Sequence, residues 1–131
     1  MMDRRRALMM AQGESPVWPI VVEATMTIKK ICNNGSITNN TSWRSSGYVE
    51  IPDGAKKVWL KNVSATPSKY GRVGATTSDT QTSGITMINF NQNLVYSDTE
   101  RYASVPAGAK YIYASRNDTN ETNIIVTFSN T

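Results

Sequence analysis

Histidine is absent from the 131 residues, and cysteine occurs once, at Cys32. Without an imidazole the chain cannot build the usual serine-protease or lipase triad, a papain-like pair, a two-histidine metalloprotease or histidine-ligated zinc. A single thiol makes neither an internal disulfide nor a four-cysteine metal site. No apolar run approaches the roughly 18 residues that a membrane-spanning helix needs, so membrane insertion is not expected. Leucine is scarce as well: Leu8, Leu60 and Leu94 stand against ten Val and ten Ile, with fifteen Thr and six Tyr. β-Branched and aromatic residues suit a pleated, half-buried surface, whereas helical cores draw on Leu, so an all-β domain is expected.

Acidic residues number 10 against 14 Lys and Arg, a net charge of +4. Three of the cations, Arg4, Arg5 and Arg6, open the chain, and the others are interleaved with acids. A nucleic-acid binder concentrates basic side chains on one face; the body does not, and no nucleic-acid partner is expected for it. Ser, Thr and Asn supply 40 residues, a surface of short neutral hydrogen-bonding groups of the kind common on extracellular and virion proteins.

Residues 1–13 differ from the remainder. They hold four of the six Met, and Arg4 to Gln12 is built almost wholly of good helix formers. The apolar stretch Ala7 to Ala11 falls short of the roughly 7–15 residues of a signal-peptide core, so no signal peptide is expected. An isolated helix of this length is marginal in water. Arg4, Arg5, Arg6, Leu8, Met9 and Met10 therefore read as an assembly arm that orders against a partner, or as a frayed terminus.

Residues 14–131 read as one β-sandwich domain. Ile20 to Cys32 alternates as one strand, with Val22, Ala24, Met26 and Ile28 on one face. Asn33 to Ser46 reads as a polar loop with Asn33-Asn34-Gly35 as its turn. Short strands follow at Gly47 to Ile51, Lys57 to Val63, Tyr70 to Thr76, Gly84 to Phe90, Leu94 to Ser97, Arg101 to Val105, Tyr111 to Ser115 and Asn123 to Ser129, with a tight hairpin at Phe90 to Leu94. Eight or nine short strands separated by Gly, Pro, Asn and Ser predict a sandwich or barrel.

One segment occurs twice. YVEIPDGAKKVW, from Tyr48 to Trp59, matches YASVPAGAKYIY, from Tyr102 to Tyr113, with five identities in twelve positions. In each copy a strand ends, Pro52 or Pro106 presets φ for the second position of a type I turn, and Gly54 or Gly108 follows at the fourth. Two such hairpins suit a fold of two similar halves, as in a jelly roll. Alternation points Val58, Leu60, Ile112 and Ala114 inward and Lys57, Trp59, Lys61, Tyr111, Tyr113 and Ser115 outward. Trp59, Tyr111 and Tyr113 are then an exposed aromatic surface: a ligand site, a subunit contact or cover for a sheet edge.

Catalytic chemistry finds little to work with. Glu50, Asp53, Asp79, Asp98 and Glu100 could in principle pair as glycosidase carboxylates, but they sit in turns beside Lys or Arg, where acids are solvated surface groups. There is no Asp-x-Asp-x-Asp calcium loop and no phosphate loop; neither an enzyme nor a cofactor is expected. Cys32 reads as a small buried side chain. What remains is recognition. A neutral polyol is held by an aromatic face and by forked hydrogen bonds, and the loops supply Trp43 with Arg44, Tyr70 with Arg72, and Arg116 with Asn117 and Asp118. Each has a plain alternative: Arg72 and Arg116 pairing with neighbouring acids, Trp43 capping the core.

The opening RRRALMMAQ resembles the N-terminal segment of small structural proteins of tailed phages and prophages of gut Firmicutes. The body, with Trp43-x-x-x-x-Tyr48, the repeated Ile/Val-Pro-x-Gly-Ala-Lys turns and Ile88-Asn-Phe-Asn-Gln-Asn-Leu94, is similar to jelly-roll domains of phage tail, baseplate and fibre proteins that resemble carbohydrate-binding modules. The resemblance implies synthesis in a bacterial cytoplasm, a virion or extracellular location, recognition of host surface glycan, contacts with other virion proteins through the arm, and a homo-oligomer, a trimer being favoured because repetition gives a shallow site avidity. The alternative it leaves open is a purely structural virion protein, a decoration, adaptor or fibre subunit.

Overall fold

The structure, a computed structural model, describes residues 17–62, 70–88, 94–95, 102–117 and 122–131. The arm, residues 90–93 of the hairpin expected at Phe90 to Leu94, and Asp98, Glu100 and Asp118 lie outside the described residues. Those described form strands and no helix: β1 (Ile20–Met26), β2 (Lys30–Asn33), β3 (Ser36–Asn39), β4 (Arg44–Glu50), β5 (Lys57–Asn62), β6 (Tyr70–Thr76), β7 (Thr86–Met87), β8 (Leu94–Val95), β9 (Tyr102–Ser104), β10 (Tyr111–Arg116) and β11 (Thr122–Ser129).

All pairing is antiparallel. The first sheet runs β1-β11-β5-β9, the second β4-β10-β6-β7 with β8 also on β6, and β2 and β3 pair with each other. Strand alternation puts one face of each sheet into a shared core: Met26, Val58, Leu60, Ile124, Val126 and Phe128 from the first, and Val49, Ile51, Val73, Ala75, Ile112 and Ala114 from the second. The inward expectation for Val58, Leu60, Ile112 and Ala114 holds.

Two expectations fail in the N-terminal third. The run from Ile20 is not one strand, because the chain leaves the first sheet after Met26. Ile28 instead exchanges main-chain bonds with Ser45, at 3.3 and 2.8 Å, and is 39% exposed. Nor is Asn33 to Ser46 a loop. Lys30–Asn33 and Ser36–Asn39 form a hairpin closed by Asn34 and Gly35 with φ of 51° and 81°, two successive left-handed residues as a type I′ turn requires. Its strands are too short and too rich in Ser and Asn for alternation to show. What stabilises the hairpin is tertiary: Cys32 and Ile37 pack with Ile85 and Tyr113 in a second core on the outer side of the second sheet.

The repeated segment is real as structure, in a different form from two hairpins. β4 and β5 lie in different sheets, as do β9 and β10, so each Pro-Gly turn carries the chain across the sandwich. The closing bonds run from Ala55 N–H to Pro52 O and from Ala109 N–H to Pro106 O, both 3.1 Å. Proline is thus the first turn residue, and glycine the third, with φ of 86° at Gly54 and 79° at Gly108, the left-handed position of a type II turn. The copies interlock by an approximate two-fold relation. Tyr48, Val49 and Glu50 pair with Tyr113, Ile112 and Tyr111, and their counterparts Tyr102, Ala103 and Ser104 pair with Trp59, Val58 and Lys57. Ile51 N–H donates to Lys110 O at 2.8 Å, and Val105 N–H to Lys56 O at 2.9 Å. The same relation takes β9-β5-β11-β1 onto β4-β10-β6-β7.

Candidate functional site

The two-fold relation makes the outer faces of the sheets comparable position by position. Across the second sheet one register row reads Tyr48, Tyr113, Gly74, Met87; the equivalent row of the first reads Tyr102, Trp59, Thr127, Val21. The chain itself covers the former. Tyr113 is 2% exposed, its hydroxyl 2.9 Å from Ser45 Oγ, its ring edge-on to Tyr48 at 5.0 Å. Ser115 Oγ accepts from Cys32 N–H at 3.1 Å and donates to Arg72 O at 3.0 Å, and Tyr48 donates to Gln81 O at 2.6 Å. Gly74 allows the close approach, since a Cβ there would lie 2.6 Å from Ile85 Cγ2 and 2.7 Å from Cys32 Sγ. Burial pushes the Cys32 thiol up to about 11, which suits an inert packing group rather than a nucleophile. The expectation that Tyr113 and Ser115 face outward into the open is therefore corrected, because the hairpin seals their side of the sheet.

Among the described residues no segment covers the equivalent face of the first sheet. A cavity of about 580 Å³ lies on it, lined by Trp18, Trp59, Lys61, Ile125 and Thr127 together with Pro19, the last residue of β11 and the two that follow it. Trp18 precedes a cis Pro19 and packs against the main core from the sheet's end. The Trp59 ring lies 5.5 Å from that of Tyr102, which is 52% exposed, and Lys57 Nζ sits 4.6 Å over the Tyr102 ring. Val21, at the edge of the same row, is 60% exposed. Of the aromatic residues singled out in the sequence, Trp59 stands on this face, while Tyr111 is half-buried on the second sheet, its ring edge-on to Tyr48 at 6.1 Å. Sequence reasoning missed Trp18, Val21 and Tyr102. The signal for Tyr102 was present, as it is the repeat counterpart of Tyr48.

The polar loop candidates also converge, at one end of the second sheet. Arg116 pairs with Arg44 on one side and Gly71 on the other, and Ser115 with Arg72. Convergence does not make them available. Arg116 is fully buried and Arg44 nearly so, the latter donating to Thr41 O at 3.0 Å and Trp43 O at 2.8 Å. Arg72 donates to Gly71 O at 3.1 Å. The Arg44 guanidinium thus holds two loop carbonyls in place and that of Arg72 a strand carbonyl, whereas Asn117 is exposed, Trp43 is half-buried, and Tyr70 contributes the first residue of β6.

Glu50, Asp53 and Asp79 do come together, around a smaller cavity of about 230 Å³ with Lys110 and Tyr111. Among the described residues no group of three or more His, Cys, Asp or Glu is placed to hold a metal ion, and no helix is long and apolar enough to cross a membrane. Searches against family models, curated proteins and solved structures give no match to this chain.

Proposed function

We propose that this chain is a non-enzymatic accessory protein of a phage or prophage particle, a jelly roll that binds host surface carbohydrate on the outer face of its first sheet. The observation that carries the reading is the contrast between equivalent faces. One is sealed by a hairpin over Gly74; the other keeps Thr127 at that position and leaves Trp59 and Trp18 lining a cavity of about 580 Å³, with the Tyr102 ring 5.5 Å from that of Trp59. A sugar's C–H groups stack on such rings, while threonine, serine and lysine side chains at the margin offer hydrogen bonds. Strand order supports the jelly roll. Numbering the eight sandwich strands along the chain, with the hairpin and β8 set aside, the sheets run 1-8-3-6 and 2-7-4-5, as expected of paired Greek keys.

The test is a glycan array probed with the purified full chain and with Trp59→Ala. Specific binding that falls at least about tenfold in the variant, the order expected when a stacking ring is lost, supports the reading; silence at high protein concentration overturns it. The rival reading, a structural virion subunit, draws on exposed Val21 and Tyr102 beside the same rings, which would then be a subunit contact. Light scattering separates the two, since Trp59→Ala would dissociate an oligomer built on this face and leave one built elsewhere intact. Arg4, Arg5, Arg6, Leu8, Met9 and Met10 are proposed to attach the body to other virion proteins, and removal of residues 1–12 then abolishes incorporation without lowering the thermal transition of the body.

A further inference from the structure

We infer that the ligand of the open face is an acidic glycan, bearing carboxylate or phosphate groups, gripped by Lys57 and Lys61 on either side of Trp59. The inference rests on the glycan reading of that face and narrows its ligand.

Three outward side chains of β5, Lys57, Trp59 and Lys61, form a cation-ring-cation ladder, the two lysines about 13 Å apart along an extended strand. Their repeat counterparts on the sealed face are Tyr111, Tyr113 and Ser115, so both charges are peculiar to the open side. Neither ammonium is within ion-pair distance of an acid among the described residues. Lys57 is held over the Tyr102 ring at 4.6 Å, and Lys61 borders the cavity. Among the described residues the acid on the face is Glu23, two strands from Lys61 in the row Glu23, Ile125, Lys61, about 10 Å away by strand spacing, and it accepts from Asn123 Nδ2 at 2.8 Å. A pair of cations flanking an indole, with no acid at ion-pair distance among the described residues, favours a ligand that presents acid groups on a polyol chain. Charge that is interleaved along the sequence is thus brought to one strand face by the fold.

The experiment measures affinity of the full chain for four polymers: polygalacturonate, a poly(glycerol phosphate), neutral dextran and single-stranded oligothymidylate. Wild type is compared with Lys57→Gln/Lys61→Gln and with Trp59→Ala, each first shown to keep the parent thermal transition. The inference expects binding of polygalacturonate or the phosphate polymer, with whichever binds more tightly identifying the acid. Affinity should drop when salt is raised from about 50 to about 500 mM and fall about tenfold in the double lysine variant, the order expected of two exposed charges. Dextran bound as tightly as the acidic polymers, or acidic binding unmoved by the lysine changes, overturns the acidic-ligand inference and leaves the glycan reading standing. Oligothymidylate bound as tightly as the acidic glycans overturns it in favour of a nucleic-acid surface. Loss of all polymer binding, on the array and here, overturns both.

Discussion

Trp59 and Tyr113 occupy the same position in the two copies of the repeated segment, and each pairs with the other copy's leading tyrosine, Tyr102 and Tyr48. Tyr113 is nonetheless sealed beneath the β2–β3 hairpin, while Trp59 borders an open cavity. Equivalent strands with unequal cover define where this molecule has surface to offer.

The cover depends on Gly74. Gly74→Ala places a methyl group 2.6 Å from Ile85 Cγ2 and 2.7 Å from Cys32 Sγ, an overpacking that costs about 1–3 kcal/mol. Thr127→Ala, at the equivalent uncovered position, should change stability by no more than about 0.5 kcal/mol. Urea unfolding of the two variants measures the difference, and equal losses would show that the hairpin does not press on the sheet.

Gly54 and Gly108 occupy equivalent left-handed turn positions, and a Cβ at either meets no close atom: the nearest is 3.6 Å away at Gly54, and none lies within 4 Å at Gly108. Alanine at each should therefore cost a similar amount, about 1 kcal/mol, from backbone conformation alone. A large disparity in denaturation midpoints would mean that the two crossings are not equivalent.

Phe128 is fully buried where β11 meets the main core. Phe128→Ala is expected to destabilise by about 3–5 kcal/mol, and calorimetry on the full chain should show the transition sharply lowered or lost. A modest shift would place the main core elsewhere.

Stability should fall as the solution turns alkaline. Burial raises Cys32 from an ordinary 9.0 to about 11 and also raises Tyr48 and Tyr113. An acid with a raised folded pKa keeps its proton when folded and sheds it when unfolded, so its contribution is full below pH 9.0 and is lost as pH climbs toward 11. The urea midpoint should decline over that window, less steeply in Cys32→Ser, and native protein at pH 8 should resist iodoacetamide until unfolded. A midpoint that is flat or rises with pH contradicts the burial of these groups.

The chain's own chemistry determined the all-β class, the inward faces of β5 and β10, and the presence of the repeated Pro-Gly turns, because each depends on neighbours within a few residues: branching at Cβ, alternation along a strand, φ at a turn; that those turns cross between sheets was decided by strand pairing. Trp59 was legible as outward for the same reason. Which outward residues remain uncovered was decided only by tertiary structure. Nothing in Tyr113 or Ser115 distinguishes them locally from Trp59 and Lys61; a hairpin some eighty positions earlier, Cys32 bonding Ser115 across 83 residues, makes the difference. Likewise Arg44 and Arg116 read as loop cations until strand pairing drew them inside. Exposure belongs to the packing of distant segments: an open face arises where alternation supplies an outward side chain and no described segment covers it.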